Sequence, residues 1–306
     1  MGLPKIIAIV GTNASGKSSI GIELAKKFNG EIISADSRQI YRGFDLCCGK
    51  ISAEEAKMVP HHLLDIKEIG DFFSEFDFQQ MTYSLIPQIL DRGRIPFIVG
   101  GSGEYVRSVV EGYLYDECPP DAELRSRLEK RSLEELQVQA MLTPEGKSYF
   151  SSHPSELLNK RRVIRKLEKI AHGVPLEAQQ LVRYNVLQLG ITWPKEKLHK
   201  RIEERLDSRI RAGMIDEVRV YLENGGSQEY LKSLGLEYKE ILLYLIGEYK
   251  TLEEFKLKMA QRIKYYAKQQ MKFFKKDASI HWLDMNSNYL EEAYSLISMF
   301  LAYQSE

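Results

Sequence analysis

The residues Gly11 to Ser18 constrain this chain more than any others, because they read Gly-Thr-Asn-Ala-Ser-Gly-Lys-Ser and match the P-loop pattern in full. The apolar run before them, Lys5 to Val10, is predicted to be a strand, and Ser18 to Phe28 a helix. In that setting backbone N–H groups surround phosphate oxygens, Lys17 adds a positive charge and Ser18 can ligate Mg²⁺. We therefore predict a phosphate site made of Gly11, Thr12, Asn13, Ala14, Ser15, Gly16, Lys17 and Ser18.

The first third of the chain alternates between strand and helix patterns. Glu31 to Ala35 and Ile95 to Val99 are short apolar runs typical of buried strands, and Ser74 to Leu90 has the spacing of an amphipathic helix. This alternation predicts an α/β fold in which helices cover both faces of a parallel sheet.

The pattern changes after about Tyr115. From Asp121 to about Gln180 the chain is charged, helical in period and without predicted strands, and Val186 to Trp193 then has a strand pattern again. We interpret the middle as an all-helical insertion in one α/β core. The predicted domains are the first part of the core at 1–120, the insertion at 121–184 and the second part of the core at 185–306.

A P-loop indicates phosphate, but it does not by itself indicate ATP. ATPases and GTPases usually carry a second apolar strand that ends in an Asp, which holds Mg²⁺. The best candidate strand, Ile95 to Val99, is followed by Gly100-Gly101-Ser102-Gly103 instead, and the similar run that does end in Asp, Ile280 to Asp284, is short. This argues against nucleotide hydrolysis and, less strongly, against a small-molecule kinase.

Asp36 follows the second predicted strand directly. In an open α/β sheet the site lies at the carboxyl ends of the strands, so Asp36 is expected to face the same crevice as the P-loop. A carboxylate there can accept a proton from an attacking amine or hydroxyl, or hold Mg²⁺ through water. Asp is also a good helix N-cap, and the spacing alone does not separate the two roles.

Several motifs occur in a fixed order over most of the chain. After the P-loop they are Asp36-Ser37-Arg38-Gln39-Ile40-Tyr41-Arg42-Gly43, Pro60-His61-His62-Leu63, Gly100-Gly101-Ser102-Gly103-Glu104-Tyr105, Arg162-Val163-Ile164-Arg165-Lys166-Leu167-Glu168 and Ala267-Lys268-Gln269-Gln270. In this order they resemble the tRNA dimethylallyltransferase (tRNA isopentenyltransferase) family. One departure is Cys47-Cys48-Gly49-Lys50, where the family usually has Gly-Thr-Ala-Lys, which removes a hydroxyl close to the site.

The resemblance implies a P-loop core related to nucleotide kinases, with Mg²⁺ as cofactor and the pyrophosphate of dimethylallyl diphosphate on the P-loop. It implies transfer of the dimethylallyl group to N6 of the adenosine just 3′ of the tRNA anticodon, a base that must be flipped from its loop. Asp36 matches the family's general base, Ser18 the hydroxyl beside the pyrophosphate and the metal, and Arg205 an arginine that helps bind the leaving pyrophosphate.

A chain with 43 Lys and Arg against 43 Asp and Glu must gather positive charge locally to bind tRNA. Two basic clusters do so, and each is also consistent with an ordinary solvated helix face. The first consists of Arg161, Arg162, Arg165, Lys166 and Lys169, and the late one of Lys264, Lys268, Lys272, Lys275 and Lys276. The resemblance favours tRNA contact for both clusters and for the segment that begins at Asp36. The members expected to bind tRNA are Asp36, Ser37, Arg38, Gln39, Arg161, Arg162, Arg165, Lys264, Lys268, Lys272 and Lys275. The nearby aromatic residues Tyr265, Tyr266 and Phe273 are of a type that can stack on bases, but most of them are expected to pack in the core.

Two alternatives share the P-loop and the sheet. A small-molecule or nucleotide kinase would depend on ATP and leaves the basic clusters unexplained, whereas an adenylate isopentenyltransferase would prenylate free nucleotide and has less need of the insertion. The cysteines, two of them adjacent and odd in number, favour a reducing compartment. With no apolar run long enough to span a bilayer, we expect a cytoplasmic protein without a membrane partner, and family precedent implies a monomer on tRNA.

Overall fold

The computed structural model of the chain describes residues 2–115, 118, 120–177 and 179–303. Its strands are β1 (Lys5–Gly11), β2 (Gly30–Ser34), β3 (His61–His62), β4 (Ile95–Gly100), β5 (Tyr113–Leu114), β6 (Gln179–Gln180), β7 (Asn185–Thr192) and β8 (Ile280–Asp284). Its helices are α1 (Lys17–Lys27), α2 (Asp45–Cys48), α3 (Ala53–Met58), α4 (Glu75–Asp91), α5 (Gly103–Val110), α6 (Ala122–Glu129), α7 (Leu133–Leu142), α8 (Pro144–Ser152), α9 (Lys160–Ala171), α10 (Lys195–Arg211), α11 (Met214–Glu223), α12 (Gln228–Leu234), α13 (Leu236–Leu245), α14 (Leu252–Phe274) and α15 (Tyr289–Ala302), with a 3-10 helix at Pro154–Leu158. None of these helices is both long enough and apolar enough to cross a membrane.

The chain divides into two compact units, one made of Met1–Val110 with Arg183–Glu306 and the other of Glu111–Val182. The second unit starts earlier than the boundary expected at 121, because β5 and β6 pair antiparallel within it, with Tyr113 opposite Gln180. The expectation that the insertion is all-helical is therefore wrong at this pair of strands. A run of two residues is too short to show a strand periodicity in the sequence.

The first unit contains a parallel sheet with the strand order β3-β2-β4-β1-β7-β8. Its central strand β1 is apolar along its length because it is buried on both faces. Ile6, Ala8 and Val10 contribute to one hydrophobic core, whereas Ile7 and Ile9 contribute to another on the opposite face. The predicted α/β fold with helices on both faces of a parallel sheet is confirmed.

Three loops meet at the carboxyl edge of this sheet. β1 leads into the P-loop, β2 into Asp36, and β4 into the Gly100-Gly101-Ser102-Gly103 turn. The registers place Val10 opposite Gly100, and Ser34 opposite Val99, so the strands end side by side. Residues distant in sequence are thereby brought to one edge, which is where open α/β sheets bind their ligands.

The second unit has its own small core. Val163, Ile164 and Leu167, the apolar stripe of α9, are buried against residues of the preceding helices such as Phe150. Beside them lies Glu168, whose side chain is fully buried and accepts hydrogen bonds from the Asp121 N–H at 2.6 Å and from Arg125 Nε at 2.8 Å. Burial by itself raises the pKa of Glu168, but these hydrogen bonds outweigh it and hold the pKa below its usual value.

Candidate active site

The P-loop joins β1 to α1 through Gly16, whose φ of 92° lies in the left-handed region that favours glycine. Within the loop the Ser15 N–H donates to the Thr12 carbonyl at 3.2 Å. α1 begins at Lys17, and the first N–H groups of a helix have no partner inside it. The backbone N–H groups of the first turn of α1, starting at Lys17 and Ser18, therefore form the positive end of the helix dipole and can bind an anion.

Two side chains from the chain that follows β7, the neighbour of β1 in the sheet, bind carbonyl groups of the P-loop. Trp193 Nε1 donates to the Ser15 carbonyl at 2.8 Å, and Arg201 Nε donates to the Ala14 carbonyl at 3.0 Å. The Arg201 guanidinium also lies 4.6 Å from the centre of the Trp193 ring, a cation–π distance. These contacts engage the loop's carbonyl oxygens, which would otherwise repel a phosphate.

Lys17 is buried at the start of α1, with its Nζ 3.4 Å from the Thr12 carbonyl. Burial lowers the pKa of Lys17 to about 8, although the nearby carboxylate of Asp36 acts in the opposite direction. A buried ammonium with so weak a partner is costly unless an anion approaches it. Lys17 is therefore placed to bind phosphate, as the motif predicts.

Asp36 lies directly after β2 and lines the same cleft as Lys17. Its Oδ1 accepts a hydrogen bond from the Arg38 N–H at 2.9 Å, an Asx turn. Residues 37 to 40 form turns rather than a helix, so the alternative that Asp36 is a helix N-cap is wrong. Among the described residues Oδ2 has no hydrogen-bond donor, which leaves it open to accept a proton.

The turn after β4 packs against the turn after β2. Ser102 N–H donates to the Ala35 carbonyl at 3.1 Å, and Ser102 Oγ accepts from the Ser37 N–H at 3.0 Å. A Cβ atom at Gly100 would lie 2.0 Å from the Ala35 carbonyl oxygen, so no side chain fits there. The backbone on either side of Asp36 is therefore held in place by hydrogen bonds to the turn after β4.

A cleft of about 490 Å³ opens beside the P-loop. Five parts of the chain line it: the P-loop with the start of α1, the turn at Asp36 and Gln39, the segment 48–51, α3 through Glu55, and α10 through Arg201, Glu204 and Arg205. Arg205 also donates to the Gly49 carbonyl at 3.1 Å. The predicted residues Lys17, Ser18, Asp36 and Arg205 are therefore brought to one cleft.

Helix α10 contributes more to the site than sequence reasoning expected. Arg201, Arg205 and Arg209 are spaced four residues apart and so share one face of the helix. Arg209 donates to the carbonyl groups of Leu46 and Cys47, which directly precede the cleft residue Cys48. Only Arg205 was expected here, although the four-residue spacing of arginines was a usable signal for the other two.

The segment from Cys47 to Lys50 is built into the wall of the cleft. Cys48 lines the cleft, and burial raises the pKa of its thiol to about 12, so it stays protonated. Lys50 Nζ donates to the carbonyl groups of Tyr41 at 2.6 Å and Gly43 at 3.0 Å and pairs with Asp45 at 2.6 Å. Lys50 therefore stabilises this wall of the cleft.

The oxygen donors of the cleft are of the kind that can bind a divalent metal ion. The Ser18 hydroxyl and the Asp36 carboxylate both line the cleft. Within the part of the chain that the structure describes, no three His, Cys, Asp or Glu side chains are grouped to hold a metal. Mg²⁺ commonly binds through one or two protein oxygens, with phosphate oxygens and waters completing its shell, and this donor set is of that kind.

The residues expected to bind tRNA near Asp36 differ in exposure. Arg38 and Ser37 are partly exposed, whereas Gln39 is buried. Gln39 Oε1 accepts from the Ser34 hydroxyl at 3.1 Å, and its Nε2 donates to the Gly49 carbonyl at 3.4 Å. Gln39 therefore links β2 to the wall of the cleft.

The late basic cluster lies on the solvent side of α14. Its apolar residues Ile263, Ala267 and Phe274 are buried, while most of its lysines are exposed, namely Lys268, Lys272, Lys275 and Lys276. Lys264 is partly buried and pairs with Glu203 at 2.5 Å. The expectation that most of the aromatic residues pack in the core is wrong, because Tyr265 is 65% exposed and Tyr266 44%.

The basic cluster of the second unit is mostly engaged within that unit. Arg162 pairs with Glu156 at 3.0 Å. Arg165 pairs with Glu168 and donates to the Cys118 carbonyl at 2.9 Å. Arg161 and Arg162 are both exposed, whereas Arg165 is partly buried.

Comparisons with known proteins agree with this geometry. A family model described as IPP transferase matches residues 39–277, more than half of the chain. A tRNA dimethylallyltransferase from Anoxybacillus flavithermus is 38% identical over 296 residues, covering 94% of this chain and 93% of the relative. One from Halalkalibacterium halodurans is 36% identical over 313 residues, covering 99% and 98%.

Solved structures give the same result. The full-length tRNA isopentenylpyrophosphate transferase from Bacillus halodurans superposes with a TM-score of 0.73 at 35% identity, covering 97% of this chain and 96% of that one. A eukaryotic dimethylallyltransferase acting on tRNA superposes with a TM-score of 0.84 at 25% identity, covering 99% and 80%. This chain therefore belongs to the tRNA dimethylallyltransferase family and is an enzyme of the transferase class.

Proposed function

We propose that the chain transfers the dimethylallyl group of dimethylallyl diphosphate to N6 of the adenosine 3′ of the anticodon in tRNA and releases pyrophosphate. One observation carries this proposal: a carboxylate with an open oxygen, Asp36, shares a cleft with the P-loop. A base beside a diphosphate site suits attack by an amine on the carbon that bears the diphosphate.

In the proposed reaction, the N6 lone pair forms a bond to C1 of the allylic group while the C1–O bond breaks. The bonding electrons leave with the bridging oxygen of pyrophosphate, and Oδ2 of Asp36 accepts the N6 proton. Lys17, Arg205 and the N–H groups at the start of α1 neutralise the leaving group. A Mg²⁺ ion held by Ser18 would add positive charge at the same oxygens.

We assign tRNA contact to the exposed lysines of α14 and to Arg38 in the first unit, and to Arg161 and Arg162 in the second. The lysine row supports this because a neutral protein needs such a local surface to bind a phosphate backbone. We also propose that the enzyme acts as a monomer, in the cytoplasm where its tRNA substrate is found.

The test is a transfer assay with dimethylallyl diphosphate, Mg²⁺ and an RNA anticodon stem-loop. Mass spectrometry is expected to show the gain of one C5 unit on adenine. Loss of a general base costs about 10²- to 10⁴-fold in rate, so Asp36→Asn is expected to lose activity by that order while still binding pyrophosphate. Asp91→Asn is the matched control, because Asp91 is an exposed carboxylate at the end of α4.

Three outcomes would contradict the proposal. Prenylation of free AMP but not of RNA would assign the chain to the adenylate isopentenyltransferases. Consumption of ATP without prenyl transfer would exclude the proposed reaction altogether. Full activity of Asp36→Asn would exclude Asp36 as the base while leaving the substrate assignment intact.

A further inference from the structure

The side chain of Gln270, on α14, contacts the P-loop although the two are 257 residues apart in the sequence. Its Oε1 accepts a hydrogen bond from the Asn13 N–H at 2.8 Å, and its Nε2 donates to the Gly101 carbonyl at 3.0 Å. The side chain is 7% exposed. Both ends of one buried carboxamide are thus used to join two loops that follow neighbouring strands.

The space around this bridge is shared with Lys17. A Cβ atom at Gly101 would lie 2.8 Å from Gln270 Nε2 and 3.3 Å from Lys17 Cε. The Gly101 backbone, the carboxamide and the methylene groups of Lys17 are therefore packed together without room for a further atom. A shift of either loop would move the ammonium of Lys17.

The bridge formed by Gln270 also engages one of the backbone N–H groups of the P-loop, so that this group is not offered to an anion. The Asn13 N–H is held by Gln270 and the Ser15 N–H by the Thr12 carbonyl. The groups at the start of α1 are left for an anion, because the first turn of a helix has no internal acceptors. The bond from Gln270 thus fixes the loop in the form that presents the helix end.

We propose that Gln270 is a positioning residue for the diphosphate: it sets the separation of the P-loop and the Gly101 turn, and with it the direction of Lys17. This inference rests on the proposed function, because it assumes that the P-loop holds the diphosphate. Gln270 acts through Lys17 and the loop amides, and it touches no reacting atom.

The test compares Gln270→Leu, which removes both hydrogen bonds at similar volume, with Gln270→Glu, which keeps an acceptor for the Asn13 N–H and loses the donor to Gly101. Pyrophosphate binding in the presence of Mg²⁺ is measured by calorimetry, and kcat and KM are measured for dimethylallyl diphosphate and for the stem-loop. Two hydrogen bonds are together worth about one factor of ten in affinity. Gln270→Leu is therefore expected to weaken pyrophosphate binding about tenfold and to raise KM for the diphosphate similarly, with KM for the RNA unchanged.

Gln269→Leu is the control, since Gln269 is the exposed neighbour on the same helix and is expected to bind pyrophosphate like the wild type. Unchanged pyrophosphate affinity in folded Gln270→Leu, with only a lower melting temperature, would overturn the positioning role. If that variant does not fold, wild-type affinity in Gln270→Glu would overturn it. Failure of the wild-type enzyme to bind pyrophosphate would instead contradict the proposed function.

Discussion

At the scale of single residues, the chemistry of the site depends on how burial changes Lys17. The ammonium is enclosed by the P-loop and the Gly101 turn, and this burial brings its pKa down to about 8. The same enclosure strengthens its attraction for a phosphate, because less solvent lies between the two charges. The residue is charged at neutral pH, but it is closer to losing its proton than an exposed lysine.

This shift predicts a pH dependence. Lys17 binds the diphosphate only when protonated, so kcat/KM for dimethylallyl diphosphate is expected to fall as the pH rises through about 8. Lys17→Arg keeps a charge that does not titrate in this range, and it is expected to lack the fall even if its absolute rate is lower. Profiles of kcat/KM measured from roughly pH 6 to 10 check this, and a similar fall in both proteins would contradict it.

At the scale of elements, α10 acts as an arginine-bearing wall of the cleft. Arg201 and Arg209 donate to backbone carbonyls of the P-loop and of the segment from Leu46 to Cys47. Arg205, between them, makes one bond to the Gly49 carbonyl and otherwise lines the cleft. Arg201 and Arg209 thus hold two loops in place, whereas Arg205 lines the cleft and can bind a ligand.

We expect Arg205→Ala to lower kcat/KM for dimethylallyl diphosphate by about 10²- to 10³-fold, the usual cost of removing one group that stabilises developing charge. Lys200→Ala on the same helix is the control, because the Lys200 side chain is 76% exposed and its one ion pair among the described residues is with Glu204 at 3.7 Å. Steady-state kinetics at saturating RNA distinguish the two. A comparable loss in both variants would mean that Arg205 acts only through the general charge of the helix.

At the scale of the whole molecule, the second unit has its own hydrophobic core with a buried ionic cluster beside it. The carboxylate of Glu168 is fully buried and forms ion pairs with Arg125 at 2.8 Å and with Arg165. Removing one partner of a buried ion pair leaves the others uncompensated. The stability of this unit and its proposed role in tRNA binding can therefore be tested apart from the diphosphate site.

Glu168→Ala is expected to destabilise the second unit by about 1–3 kcal/mol, because its hydrogen-bond donors lose their buried acceptor, and denaturant unfolding would measure this as a separate, earlier transition. RNA binding is expected to weaken while pyrophosphate affinity stays unchanged, since the cleft is built from the first unit. Glu145→Ala, at an exposed position of α8, is the control. Unaltered RNA affinity in an unfolded second unit would contradict the assignment of tRNA contact to it.

The sequence by itself determined the P-loop, the strands and helices around it and the place of Asp36. These follow from local periodicity, and carboxyl ends of parallel strands share an edge. The ordered motifs also sufficed for the family. Only the tertiary structure decided which distant groups complete the site: Trp193 and Gln270 lie 178 and 257 residues from their P-loop partners. No spacing encodes such contacts, because they depend on how helices pack across the sheet, and the same packing determines that Gln39 and Arg165 are used internally while Tyr265 is exposed.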